Sequence, residues 1–131
     1  MGTRWSALFF TPPGFDARPV QTALQKAVDE VDAHMSTWKP DSDLMRLNRA
    51  PVGESVVVPA DLAHVLALGL RIGRASGGAF DIGMGDAVRA WGFGPNAADA
   101  QGIRTAMAAS RRPAHEMLKL EGTQVRKRGL I

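Results

Sequence analysis

Residues 59–81 read Pro-Ala-Asp-Leu-Ala-His-Val-Leu-Ala-Leu-Gly-Leu-Arg-Ile-Gly-Arg-Ala-Ser-Gly-Gly-Ala-Phe-Asp. Pro59 opens a predicted helix, because proline is tolerated in the first turn. Apolar and small residues then recur every three or four positions, which predicts one buried helix face. The small residues on this face would let another element approach closely. The face comprises Leu62, Val65, Leu66, Gly69, Ile72, Gly73 and Ser76.

The double glycine after this helix is the strongest functional signal. Gly77-Gly78 allows a sharp turn and leaves room for a ligand against the main chain. Phe80 then offers an aromatic face and Asp81 a carboxylate. A helix beginning near Gly83 would direct unpaired N–H groups at the turn, which suits a phosphate. The pattern indicates a site for a flat, phosphorylated ligand, such as a nucleotide or flavin; a plain glycine-rich connection between two helices is the alternative.

The elements on either side predict an α+β fold, with helices packed on a small, mainly antiparallel sheet. A strand is expected at residues 4–11, and an amphipathic helix runs from Asp16 to Trp38, where the pair Lys39-Pro40 ends it. The other expected elements are a short helix capped by Asp41 or Ser42, a strand at 56–58, helices at 83–91 and 98–110, and a hairpin of strands at 117–120 and 124–128.

Composition narrows the class of protein. The 131 residues fit one domain, and the net charge of +3 with a pI near 10.0 favours anionic ligands without requiring nucleic acid. Basic residues crowd the last twenty or so positions without any aromatic residue, so a solvated surface is expected there rather than a nucleic-acid interface. The absence of cysteine excludes disulfides and thiolate metal sites. No signal peptide is expected at the start of this sequence.

The last residues suggest a polypeptide that continues. Residues 124–131 begin as a strand and become apolar at Gly129, Leu130 and Ile131. An apolar strand end with nothing after it would leave unpaired backbone groups. We therefore expect residues 1–131 to form a single partial domain truncated at its C-terminal end; an ordinary frayed terminus is the alternative.

Several motifs together resemble the ApbE family of FAD:protein FMN transferases, flavin transferases formerly called thiamine biosynthesis lipoproteins. The first is Met-Gly-Thr at residues 1–3 with Trp5 shortly after it. The second is Met-Ser-Thr-Trp-Lys-Pro-Asp-Ser-Asp-Leu-Met-Arg-Leu-Asn at residues 35–48. The third and fourth are Ser-Gly-Gly-Ala-Phe-Asp at residues 76–81 and Trp-Gly-Phe-Gly at residues 91–94. Their order and spacing match as well as their residues.

The resemblance implies an enzyme that uses FAD with Mg²⁺. It implies transfer of FMN from FAD to a threonine of a target flavoprotein, with release of AMP, or in some members hydrolysis of FAD to FMN and AMP. It also implies a T-fold-like half of the domain and a place in the bacterial cell envelope or periplasm. The partners it implies are FAD and the accepting flavoprotein, with no nucleic acid.

Five cofactor-binding residues follow from the resemblance. Met1 matches the opening motif that touches the flavin nucleotide, and Trp38 matches an aromatic residue that stacks on the isoalloxazine. Ala79, Phe80 and Asp81 match the stretch that lines the FAD pocket. From the residues alone, Trp38 and Phe80 could equally pack in the core, and Asp81 could cap a helix near Gly83.

The family's pyrophosphate-contacting motif, Asp-Leu-Gly-Gly-x-x-Lys-Gly, and its Mg²⁺ ligands lie beyond the matched residues. We therefore expect no metal ligand and no identified catalytic residue in this chain, which would hold about half of the FAD pocket. A homo-oligomer or a complementing C-terminal half would then be required for activity. The alternative function is a non-catalytic FAD- or flavin-binding protein.

Overall fold

The computed structural model describes residues 4–109 and 112–129, and the α+β class predicted from the sequence is confirmed. The helices are α1 (Arg18–Met35), α2 (Asp43–Arg49), α3 (Ala60–Ala75), α4 (Gly85–Ala90), α5 (Ala100–Ala108) and α6 (Ala114–Met117). The strands are β1 (Ser55–Val57), β2 (Leu118–Glu121) and β3 (Gln124–Lys127).

The sheet is antiparallel, with β3 between β1 and β2. Val125 of β3 lies opposite Val56 of β1 on one side and Leu120 of β2 on the other. Its side chain is only 1% exposed, because both neighbours and the helix layer cover it. The predicted hairpin is also confirmed: β2 and β3 are joined through Gly122, whose φ of 59° favours glycine.

Helix α3 supplies most of the core. Leu62 and Leu66 are buried on its inner face, as the predicted stripe required. The stripe is wrong at three positions, because Val65 and Ile72 are about half exposed and Ser76 is exposed. Ala63 and Leu70 are buried instead. The residues that α3 packs against in the buried cluster are Leu47, Val56, Val58, Ala114, Leu118 and Val125.

The two glycines of α3 lie against the segment that follows the double-glycine turn. A Cβ built on Gly69 would stand 2.7 Å from Cγ2 of Ile82, closer than real side chains come. A Cβ on Gly73 would stand 3.1 Å from the carbonyl oxygen of Phe80. The close approach predicted for this helix face is thus confirmed, and it fixes the position of residues 80–82.

The predicted first strand at residues 4–11 is wrong. That segment has no regular secondary structure, and Leu8 and Phe10 are almost fully exposed. A strand needs a neighbour to pair its N–H and C=O groups, and none of the described strands runs beside it. Phe9 instead meets Phe15 edge-on, with ring centroids 6.5 Å apart.

Three predicted helices are shorter in the structure, among them α5, which spans Ala100–Ala108 rather than 98–110. Helix α1 ends at Met35, where the N–H of Ser36 makes the last bond, so Trp38 lies in the following loop. Helix α4 begins at Gly85 rather than Gly83, because Gly83 N–H is bonded to the Asp81 side chain. The terminal apolar residues Leu130 and Ile131 lie outside the described part of the chain.

An ion pair joins α1 to the start of α3. His34 Nδ1 lies 2.8 Å from Asp61 Oδ2. The hydrogen bond to Asp61 raises the pKa of His34, and the same bond lowers the pKa of Asp61. His34 is half-buried beside this partner.

The pair predicts a pH-dependent contribution to stability. The part due to His34 is present below its ordinary pKa of about 6.5 and is lost as pH rises through the raised value; the part due to Asp61 is lost as pH falls below about 4. Asp61→Asn should therefore reduce the free energy of unfolding by up to about 1 kcal/mol near pH 5 and by less near pH 8. Urea unfolding at the two pH values measures this, and an equal loss at both would contradict it.

Candidate functional site

The double-glycine turn is closed by its own hydrogen bonds. Gly77 and Gly78, with φ of 61° and 87°, donate their N–H groups to the carbonyls of Arg74 and Gly73. The Ser76 hydroxyl donates to Gly73 O at 3.1 Å and accepts from Phe80 N–H at 3.1 Å. The turn therefore holds its shape without a ligand.

The N–H groups of the bend itself are engaged within the protein. Those from Gly77 to Phe80 all have partners inside the turn, since Ala79 donates to Ser76 O. Helix α4 has six residues and begins at Gly85, beyond the turn, rather than near Gly83. The bend therefore contributes side chains and carbonyls, rather than free N–H groups, to any binding.

Asp81 ties the turn to the sheet. Its Oδ1 accepts from Gly83 N–H at 2.9 Å and from Ala114 N–H at 3.0 Å. Ala114 is 1% exposed and starts α6, which leads directly into β2. Within the described residues Oδ2 has no hydrogen-bonding partner. The helix cap near Gly83 that was the alternative for Asp81 is not formed, because α4 begins at Gly85 with Met84 as its N-cap and no side-chain cap. One Asp81 oxygen stays available to a ligand.

Ala79 and Phe80 stand at the surface of the turn. Ala79 is exposed, and the Phe80 side chain is 45% exposed although its backbone is held against Gly73 of α3. The core packing that was the alternative for Phe80 is therefore not what the structure shows. A rigid backbone carrying a half-exposed ring suits contact with a flat ligand.

Trp38 lies in a loop that two buried hydroxyls shape. Ser36 accepts from Trp38 N–H at 3.1 Å through Oγ, and its carbonyl accepts from the Ser42 hydroxyl at 2.7 Å. Ser42 also caps α2 by accepting from Met45 N–H. The loop from 36 to 42 is thus fixed at both ends, and it leaves Trp38 51% exposed rather than in the core.

An ion pair anchors the same loop to α1. Lys39 Nζ lies 2.7 Å from Asp32 Oδ2. The Lys39 ammonium lowers the pKa of Asp32 to about 2, so the carboxylate is charged at neutral pH. Sequence analysis singled out Trp38 but did not predict the contacts that hold its loop in place. The hydrogen bond from Ser42 to Ser36 and the ion pair of Lys39 with Asp32 have no recognisable sequence signature.

Met1 lies outside the described residues. In residues 4–109 and 112–129 no group of three histidine, cysteine, aspartate or glutamate side chains could hold a metal ion. His64 is exposed on α3, whereas His115 is half-buried at α6 and lines a basic cavity beside that helix.

The basic cavity was not predicted. It has a volume of about 340 Å³ and lies between α3 and the hairpin of β2 and β3. Its cationic lining groups come from segments far apart in sequence, so no local motif reveals them. They are Arg71, Arg74, Lys119 and Arg128.

The structure combines a fixed aromatic loop and a tight glycine turn on an α+β scaffold. The sequence profile of the ApbE family matches residues 1–130. The chain belongs to the ApbE family.

Relatives and solved structures agree with this assignment. The chain is 34% identical to the FAD:protein FMN transferase of Klebsiella pneumoniae over 129 residues, covering 95% of this chain and 37% of that protein. It is 39% identical to the Escherichia coli FAD:protein FMN transferase over 98 residues, covering 72% of this chain and 27% of that protein. A mutant of the Vibrio cholerae flavin transferase ApbE superposes with a TM-score of 0.76 at 29% identity, covering 91% of this chain and 42% of that one.

The chain thus spans about two-fifths or less of the proteins it matches. The resemblance to enzymes of flavin transfer is clear, and the expected family is confirmed. No helix in the described ranges combines the length and apolar character needed to cross a bilayer.

The two bonds to Asp81 predict different effects for two substitutions. Asp81→Ala leaves two backbone N–H groups without their acceptor, so the free energy of unfolding should fall by about 1–3 kcal/mol. Asp81→Asn keeps an oxygen acceptor and should lose less than half of that. Thermal and urea unfolding of both variants test this, and equal losses would show that the bonds from Gly83 and Ala114 do not hold the turn.

Proposed function

We propose that residues 1–131 are part of a flavin transferase domain and form one side of its FAD site. The observation that carries this proposal is the match of the ApbE family over residues 1–130, with Trp38 and Phe80 both half-exposed on fixed backbone. Exposed aromatic rings on rigid loops lose little freedom when a flat ring stacks on them. Met1, Trp38, Ala79, Phe80 and Asp81 remain the proposed FAD-binding residues.

Each described residue would have a separate task. Trp38 would stack on the isoalloxazine, and Phe80 would form a wall of the pocket with Ala79, whose small side chain leaves space. Asp81 Oδ2 would accept a hydrogen bond from a ribose or adenine donor while Oδ1 keeps its two backbone partners. Binding and orienting FAD is the contribution proposed for these residues.

The reaction proposed for the whole protein is transfer of FMN to a threonine of a target flavoprotein. The threonine oxygen forms a bond to the FMN phosphorus, the bond from that phosphorus to the AMP oxygen breaks, and AMP leaves. The hydroxyl proton passes to a base that none of the residues discussed supplies. Transfer to a protein rather than hydrolysis follows the names of the relatives, FAD:protein FMN transferase.

The described residues do not fit a magnesium site. Mg²⁺ takes oxygen ligands in octahedral geometry, and among the described residues no three carboxylate or histidine side chains come close enough together to hold a metal ion. We propose that the Mg²⁺ ligands are supplied outside residues 1–131, by the rest of the domain or by a partner chain. A location in the bacterial cell envelope is proposed on the family resemblance alone.

FAD binding can be tested by titrating FAD with the chain and following flavin fluorescence. Stacking on Trp38 should quench the emission, and Trp38→Ala should weaken binding by about tenfold, since a stacked aromatic pair contributes about 0.5–1.5 kcal/mol beyond area burial. Phe80→Ala should weaken binding by a smaller factor. Addition of Mg²⁺ and a threonine-bearing acceptor should release no AMP from the chain alone.

Phe10→Ala is the matched control, because Phe10 is fully exposed, lies outside the four motifs and has no described ring contact. It should bind FAD as the parent does. Binding with full affinity in the Trp38→Ala and Phe80→Ala variants would contradict the proposed site. The alternative, a non-catalytic flavin binder, is supported if FAD binds and no AMP appears even after a C-terminal half is supplied.

A further inference from the structure

The basic cavity between α3 and the β2–β3 hairpin has a cationic rim and an apolar floor. Arg71 and Arg74 stand three positions apart on α3, and Arg128 and Lys119 come from the opposite wall. Leu70 and Leu118 on the floor are buried. No aspartate or glutamate belongs to the lining among the described residues.

Three arginines of this rim have no partner in the described part of the chain. The side chains of Arg71, Arg74 and Arg128 donate no hydrogen bond to any described residue. Other arginines are engaged: Arg18 binds Asp16 at 2.9 Å, and Arg112 binds Glu116 at 2.8 Å. Unpaired guanidinium groups that converge repel one another, and an anion between them relieves that repulsion.

One carboxylate near this cavity, that of Glu121, forms an ion pair with a lining residue. Glu121 lies outside the lining and pairs with Lys119 at 2.7 Å. Lys119 lowers the pKa of Glu121, and the charges of Arg126 and Arg128 lower it further. The rim therefore keeps a net positive charge from its arginines at neutral pH.

In a second cavity the arginines are hydrogen-bonded to the protein itself, which contrasts with the basic cavity. It has a volume of about 480 Å³ and includes Arg46 and Arg49 in its lining. Arg46 donates to Asp43 and to the Val57 carbonyl, and Arg49 donates to the Pro40 carbonyl. Those arginines are occupied with the protein itself, whereas the arginines of the basic cavity are not.

We propose that the basic cavity is a binding site for a small phosphate-bearing anion, of the diphosphate type. Guanidinium groups present paired N–H donors that match phosphate oxygens, and arginines on opposite walls favour an anion with several charges over a single carboxylate. The volume of about 340 Å³ is at the lower end of the range for small-ligand sites. The site goes beyond the flavin proposal and does not depend on it.

His115 connects this cavity to the back of the glycine turn. Its Nδ1 would lie 3.4 Å from a Cβ on Gly73, and the same Cβ would lie 3.1 Å from the Phe80 carbonyl. The cavity residue His115 and the carbonyl of Phe80 therefore both lie close to Gly73 of α3. The anion has two chemical sources, a free inorganic diphosphate or the phosphate of a nucleotide.

The test is calorimetric titration of the chain with inorganic pyrophosphate at low ionic strength, where exposed charges are least screened. The parent should bind one pyrophosphate, and Arg71→Gln/Arg74→Gln should weaken binding at least about tenfold. Arg4→Gln/Arg89→Gln is the matched control: it removes the same charge from arginines that lie outside the cavity and make no described side-chain hydrogen bond. The control should bind as the parent does.

Competition identifies the source of the anion. If AMP displaces pyrophosphate, the site takes a nucleotide phosphate; if both bind together, it takes a free anion, and either result upholds the phosphate chemistry. No binding of pyrophosphate, or equal weakening in both double variants, would overturn the proposal, as would binding of an acidic peptide or DNA without pyrophosphate. Trp38→Ala should leave pyrophosphate binding unchanged, so failure here is distinguishable from failure of the flavin proposal.

Discussion

The close contact between α3 and residues 80–82 is the constraint on which the rest of the structure depends. Gly69 and Gly73 leave no side chain between the helix and the returning chain, so Ile82 and the Phe80 carbonyl approach the helix backbone directly. The double glycine makes this return possible, since both residues have positive φ. Without the contact, Asp81 would not meet Ala114, and the turn would lose its link to the sheet.

A second constraint fixes the loop that carries Trp38. Buried Ser36 and Ser42 bond to each other through a hydroxyl and a carbonyl, and Lys39 binds Asp32 on α1. Each aromatic ring proposed to touch FAD therefore stands on backbone that polar contacts already fix. A site held in this way loses less freedom on binding than one that a ligand must order.

The sequence predicted the parts of this arrangement that depend on local pattern. The apolar period of α3, the proline at its start and the hairpin at Gly122 each have a signature within a few residues, and the structure confirms them. The Ser42 cap is likewise confirmed. Motifs in fixed order also identified the family before any contact was visible.

Sequence reasoning failed where long-range partners decide the outcome. Residues 4–11 have a strand-like composition, yet none of the described strands pairs with them. The glycine pair predicts room for a ligand against the main chain, whereas in the structure Ser76 and the last carbonyls of α3 accept the N–H groups of the turn. The basic cavity joins Arg71 to Arg128, and only folding brings such distant residues together.

Both proposals depend on helix α3. The flavin site would lie at the surface of the turn that follows α3, and the anion site would lie between α3 and the β2–β3 hairpin, next to His115. Helix α3 is also the main contributor to the core. Its position is therefore decisive for both sites as well as for the fold.

The most direct test of this account is the urea-unfolding free energy of Gly69→Ala beside that of Gly85→Ala. An added Cβ at Gly69 would meet Ile82 at 2.7 Å, whereas nothing lies within 4 Å of one at Gly85. Gly69→Ala should lose about 1–3 kcal/mol despite the higher helix propensity of alanine, and Gly85→Ala should lose nothing. A Gly69→Ala protein as stable as the parent would contradict the claim that this contact holds the turn in place.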